Sequence, residues 1–191
     1  MRVEISKLYV DAADALLVPS GFVRRARSQE WSKHCEVDRI WVHLNFGKGL
    51  IIPSFGVEYS DLKRRWPNLP GGVYGTLKTL AGCFKAPTLY SVDDTPLDLI
   101  DDLNKYGLPV LPELQDRMKV LRMLQSSNSS EWPVPSFSHR IRLAPLLLCG
   151  MGRVAEAHVL AKDFLIRSVG KDQIVPPYDA FVGALRVAAP G

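Results

Sequence analysis

The chain reads as an α+β protein: an N-terminal helix packed on an antiparallel sheet, followed by helices and a C-terminal helical hairpin. Three observations carry that reading. Apolar residues at three- and four-residue spacing open the chain, alternating apolar segments joined by a glycine-rich loop follow, and helical spacing returns beyond residue 95. Strands gathered in one stretch and helices in another argue against an alternating parallel sheet.

Residues 4–18 are expected to be helical. Ile5, Leu8, Ala12 and Ala15 or Leu16 form one apolar stripe, and Pro19, Ser20 and Gly21 end it. Phe22 to Trp31 is expected as one strand of poor alternation. Asp38 to Phe46 is the clearest strand: Ile40, Val42, Leu44 and Phe46 point one way, and Trp41, His43 and Asn45 the other. Gly47, Lys48 and Gly49 make a hairpin loop, and Leu50 to Tyr59 returns as the partner strand. Pro53 within it predicts an edge position or a bulge, because proline donates no ladder hydrogen bond. Residues 63–72 read as a loop, and Val73 to Leu80 as a further strand.

Thr95 followed by Pro96 predicts a helix start, with Leu97, Ile100 and Leu103 on its buried side and Gly107 as its end. A second helix spans Leu111 to Gln125, with Leu114, Met118, Leu121 and Leu124 or Gln125 on one side. Residues 126–136, rich in serine and proline, read as a linker. Phe137 to Cys149 and Val154 to Ser168 form a helical hairpin around Gly150-Met151-Gly152, and a terminal helix runs from Pro177 to Val187. The expected organisation is therefore an α+β domain over 1–125, a linker over 126–136, and a helical extension over 137–191 packed on the same domain.

A hydrophobic content of 47% in 191 residues supports a real core and excludes wholesale disorder. The net charge of +4 is a small excess of 24 basic over 20 acidic residues. Its densest basic runs, Arg24, Arg25, Arg27 and Lys63, Arg64, Arg65, read first as solvated edges. Cys35, Cys83 and Cys149 are odd in number and far apart, which fits free thiols in a reducing cytoplasm. Glu4, Asp11 and Asp14 interrupt the apolar stretch a signal peptide would need, and no stretch has the length of a membrane span. The expected location is cytoplasmic.

No motif for catalysis, metal or cofactor emerges. His34, His43, His139 and His158 show no helical metal pairing, and His34 beside Cys35 lacks two further ligands. Asp93, Asp94, Asp98, Asp101 and Asp102 bracket a helix start, where negative charge suits the backbone dipole. Gly71, Gly72 and Gly75 lack the lysine and hydroxyl of a phosphate loop, and Cys83 has no evident partner base. The expectation is a protein without cofactor or metal.

The stretch Ile5 to Tyr59 resembles a bacterial immunity-like family of domains of unknown function. The residues that carry the resemblance are Leu17, Pro19, Gly21, Phe22, Arg24, Trp31, Val42, Leu44, Phe46, Phe55, Gly56 and Val57, with Tyr106-Gly107-Leu108-Pro109-Val110-Leu111 as a later element. Gly150, Gly152, Arg153, Glu156 and Ala157 look like a helical-hairpin turn of tetratricopeptide type. The resemblance implies a non-enzymatic immunity protein that binds a cognate protein toxin and occludes its active site, with no nucleic acid or membrane as partner. Candidate partner-binding residues are Arg24, Arg25, Arg27, Trp41 and His43. Two other classes stay open: an enzyme built on His43, Asp93 or Asp94, and a nucleic-acid-binding accessory protein using Arg24, Arg25, Arg27 and Trp31, the arginines on phosphate and the indole on a base.

Overall fold

A computed structural model describes residues 2–36, 38–65, 76–80, 90–91, 95–126, 137–167 and 175–187. Asp93, Asp94, Cys83, the glycines at 71, 72 and 75, strand residues 73–75 and linker residues 127–136 lie outside the described residues. The architecture is α+β, with an N-terminal helix, an antiparallel sheet and then helices.

Helix α1 spans Arg2–Leu17 and buries Tyr9, Ala13 and Leu17. The expected stripe is rotated: Leu8 is 60% exposed and Ala15 is exposed. Tyr9 takes the inward place because it offers a ring that meets Phe46 edge-on and a hydroxyl that reaches the Ser91 carbonyl at 3.2 Å. The helix ends in a two-bond cap. Gly21 N–H donates to the Val18 carbonyl and Phe22 N–H to the Leu17 carbonyl, with Gly21 at φ +85°. That reversal folds Phe22 back into the core.

The predicted strand over 22–31 is instead two strands, β1 (Val23–Arg24) and β2 (Glu30–Cys35). A turn between them, closed by Ser28 N–H on the Arg25 carbonyl, holds Arg27 at φ +60°. Strands β3 (Asp38–Gly47) and β4 (Leu50–Tyr59) form the hairpin that the alternation predicts. Lys48 and Gly49 both adopt positive φ, the two-residue turn whose twist matches the strands. Phe22, Val42, Leu44 and Phe55 all lie in the core.

The sheet order is β1-β2-β3-β4-β5, where β5 is Thr76–Leu80; β6 (Tyr90–Ser91) also pairs with β4. Pro53 therefore sits in an inner strand, not at an edge. β5 pairs with residues 54–58 and β6 with 50–51, and Pro53 falls in the gap between them. Leu44, opposite Pro53, directs its N–H to the Gln29 carbonyl on the other side. Positions 44 and 53 thus form a non-hydrogen-bonded pair, and the missing donor of Pro53 faces the gap.

Lys63, Arg64 and Arg65 end a short helix, α2 (Ser60–Arg65), where a loop was expected. Acidic Asp61 in its first turn and the cations in its last suit the helix dipole. Helix α3 (Pro96–Asp102) begins with proline as predicted, yet Thr95 does not cap a backbone N–H; its hydroxyl donates to the Asp98 carboxylate at 2.9 Å. Leu99 and Leu103 are buried and Leu97 is 68% exposed, so this stripe too is rotated. Gly107 ends not α3 but a π turn, Leu103–Gly107, where a side chain would stand 3.3 Å from the Phe55 ring.

The expected helix from Leu111 is interrupted. Two 3₁₀ turns (Leu108–Val110 and Glu113–Gln115) precede helix α4 (Arg117–Gln125), because the Asp116 carboxylate accepts the Lys119 N–H at 3.0 Å and caps the helix there. Leu114, Leu121 and Leu124 point inward, with Val120 and Met123, whereas Met118 is 42% exposed. Helices α5 (Phe137–Gly150) and α6 (Val154–Arg167) form the predicted hairpin, with α7 (Val175–Val187) against α6. The cap of α1 recurs at the end of α5: Gly152 N–H to the Cys149 carbonyl, Arg153 N–H to the Leu148 carbonyl, and Gly152 at φ +76°. Pro145 inside α5 removes the donor for the Ile141 carbonyl, and the buried Tyr178 hydroxyl of α7 supplies it at 2.8 Å. One hydrophobic core runs from α1 to α7.

Candidate functional site

Three arginine-centred constellations hold most of the partly buried charge. Asp14 of α1 accepts from Arg24 at 2.9 Å and from the Trp31 indole N–H at 2.7 Å. Arg117 at the start of α4 donates to Asp61 at 2.5 and 2.8 Å and to Asp38 at 3.2 Å, and lies 5.1 Å from the Tyr59 ring centre. Arg39 joins Glu30 at 2.8 Å to Glu58 at 3.3 Å, and Lys63 completes that set on Glu58 at 2.9 Å.

Burial and the arginine act against each other in the second cluster. Asp38 is 5% exposed; burial pushes its carboxyl above the ordinary value and outweighs the Arg117 charge. At Asp61 burial also opposes ionisation, but the Arg117 hydrogen bonds and charge prevail and hold the carboxyl low. Burial of Glu58 is likewise outweighed, there by Lys63 and Arg39. A cleft of about 590 Å3 opens here, lined by Cys35, Glu36, Asp38, Asp61, Gln115 and Arg117. Both aspartates are engaged by the guanidinium. The cluster ties β3, α2 and α4 together, and it presents a neutralised arginine rather than a proton acceptor held open for substrate.

The five candidate partner-binding residues do not share a surface. Arg24 lies on the core side of the sheet, held by Asp14. Arg25 and Arg27 are exposed in the β1–β2 turn. Trp41 and His43 project from the opposite sheet face, where Trp41 is 6% exposed and His43 is half-buried, across from Glu30 and Ser54. Trp31 is wholly buried with its indole N–H on Asp14, so it has no face for a nucleic-acid base. His34 is exposed; His158 on α6 is half-buried, with no hydrogen bond at Nε2. Burial pushes the Cys149 thiol up to about 11. Among the described residues no group of three or more His, Cys, Asp or Glu side chains is placed to hold a metal ion, and no helix is long and apolar enough to cross a membrane.

The concave surface that composition did not reveal lies between α4 and α6. This groove of about 580 Å3 has Leu121 and Leu148 in its floor, Met118 and Val159 at its lips, and Arg122 and Glu156 on its rim. Val159 is 69% exposed, and Ile166, two turns further along α6, is 70% exposed. Arg153 pairs with Glu156 at 2.6 Å and approaches the Met118 sulfur at 3.5 Å, joining the α5–α6 turn to α4. In the sequence Met118 belongs to an apolar stripe and reads as core. Only the later start of α4, at the Asp116 cap, turns it outward. No family, curated protein or solved structure matches the chain.

Proposed function

We propose that the chain is a non-enzymatic interaction protein, in concrete form an immunity protein that binds a cognate protein toxin and occludes its active site, and that the α4–α6 groove receives an apolar ridge or helix of that partner. The groove is the observation that carries the reading. It is largely apolar, with Met118 and Val159 exposed at its edge and charged side chains around them. An apolar centre inside a polar rim is the usual composition of a binding interface, and a groove between helices suits an amphipathic helix. Methionine adds a side chain that adapts to what it meets. The resemblance to immunity-like domains points to the same class of partner.

The test pairs the purified chain with the product of each reading frame adjacent to its gene. Titration calorimetry is expected to give a stoichiometric complex, and Met118→Glu or Val159→Glu is expected to weaken it at least tenfold, about 1.4 kcal/mol, with an unchanged melting temperature. Equal affinity in both variants would remove the groove from the interface. Turnover of a small molecule by the purified chain, lost on replacing one histidine without unfolding, would overturn the binding reading itself.

A further inference from the structure

We infer that Met118 is a modification site, oxidised by a peroxide to the sulfoxide, and that this sulfoxide, held by Arg153, closes the α4–α6 groove to an apolar partner. Of the three methionines among the described residues, Met123 is 4% exposed and Met151 packs against the core, whereas Met118 is 42% exposed at the lip of the groove. Oxidation of a thioether needs access for the oxidant, so exposure singles out Met118. What meets the sulfur is a separate observation. The Arg153 guanidinium divides its donors: Nε and Nη2 go to the Glu156 carboxylate at 2.7 and 2.6 Å, and Nη1 meets the Met118 sulfur at 3.5 Å. A thioether is a weak acceptor, so Nη1 is poorly used in the reduced chain. A sulfoxide oxygen is polar, and a hydrogen bond to it from the guanidinium is charge-assisted.

The step balances with hydrogen peroxide as the oxidant. A sulfur lone pair attacks one peroxide oxygen, the S–O bond forms and the O–O bond breaks. The proton of the transferred hydroxyl passes to the departing oxygen, which leaves as water. Sulfur gives up two electrons and the peroxide takes them. Rotation about the terminal thioether bond then carries the new oxygen to Arg153 Nη1, and Glu156 keeps the two donors it already has. The sulfoxide so held ties the α5–α6 turn more firmly to the first turn of α4. It also places a strong dipole at the lip of a groove floored by Leu121 and Leu148. An apolar occupant would have to cover that oxygen without offering it a hydrogen bond, which costs free energy. The buried Met123 is left reduced, so the core is not disturbed. The effect on binding rests on the reading of the groove proposed above; the site of oxidation does not.

The test treats the full chain with hydrogen peroxide and locates the added oxygen by peptide mass spectrometry. Met118 is expected to be oxidised before Met151 and about tenfold faster than Met123, and methionine sulfoxide reductases are expected to reverse it. The amides of Gly152 and Arg153, which close the cap of α5, are expected to exchange more slowly after oxidation, and Arg153→Ala to abolish that gain. A partner found among the adjacent reading frames is expected to bind the oxidised wild type about tenfold more weakly, and peroxide-treated Met118→Leu as well as the untreated variant. Met123 or Met151 oxidised as fast as Met118 overturns the inference. So does faster exchange in the turn, or slower exchange that Arg153→Ala retains, because Arg153 then does not hold the sulfoxide. A partner bound equally by both forms overturns the closure of the groove. The absence of any partner defeats the interaction reading alone, since mapping and exchange judge the oxidation site and its anchor without one.

Discussion

Helices α1 and α5 end in the same two-bond cap, at Gly21 and Gly152, yet they occupy opposite situations. In α5 every residue from Ile141 to Cys149 is buried, between α4 on one side and α6 on the other. In α1 a single side is buried, and a second apolar side faces out. The local code is shared, and the surroundings decide what it is worth. A helix that is apolar all round belongs in the middle of the molecule, whereas one with two separated stripes has more apolar surface than the core takes up.

The largest expected contrast lies in truncating a leucine on each helix. Leu147→Ala in α5 is expected to cost about 2–5 kcal/mol, from lost transfer free energy and a residual cavity. Leu8→Ala in α1 is expected to change stability by less than about 0.5 kcal/mol, the scale of surface sites. Urea unfolding of both variants checks this. Comparable losses would break the comparison.

A smaller contrast separates the two glycines at the end of α5. A Cβ on Gly150 would stand 2.4 Å from Leu62 Cδ2 and 3.1 Å from Arg117 Nη1, and Leu62 is itself buried. Gly150→Ala is therefore expected to cost about 1–3 kcal/mol through overpacking. A Cβ on Gly152 meets nothing within 4 Å, so only its positive φ opposes substitution. Gly152→Ala is expected to cost about 1 kcal/mol. Melting temperatures in the reverse order would mean that the end of α5 relaxes more readily than its cap.

The smallest effect concerns the Arg117 cluster beside that end. Asp61 binds its proton more weakly in the folded chain than its ordinary 3.8, because Arg117 outweighs burial. Its stabilising contribution is complete above 3.8 and is lost as pH falls through the lower folded value. Asp38 has the opposite sign: burial raises its carboxyl above 3.8, so it favours folding at low pH and loses that contribution as pH rises through its raised value. Asp61→Asn is thus expected to flatten acid destabilisation below about pH 4, and Asp38→Asn to steepen it, each by less than about 1 kcal/mol. Stability measured from neutral pH down to pH 3 in both variants checks the two signs.

The sheet was legible where alternation was strong. Ile40, Val42, Leu44 and Phe46 identify β3 and its core side, and Lys48-Gly49 marks the hairpin turn. Helix positions were legible and their inward sides were not. At α1 and α3 two apolar spacings compete, and which one turns inward depends on Phe46 and on the core that Leu99 and Leu103 enter, residues remote in sequence. Pro53 read as an edge marker because the gap between β5 and β6 is a tertiary fact. The candidate site was least legible of all. Arg24 reads as a free cation until Asp14, ten residues earlier, is placed against it, and the α4–α6 groove joins residues about forty apart.

Pro145 has a consequence for the order in which the molecule comes apart. By freeing the Ile141 carbonyl it gives α5 a receptor that the Tyr178 hydroxyl fills. Detaching α7 alone would break that hydrogen bond and take the Tyr178 ring from the Arg142 guanidinium, which lies 5.5 Å from it. Fraying from the C-terminal helix is therefore penalised at its first step, and α5 and α7 should open together as one cooperative unit. In native-state hydrogen exchange that unit would appear as a shared opening free energy for amides of α5 and α7, rather than a gradient declining toward residue 187.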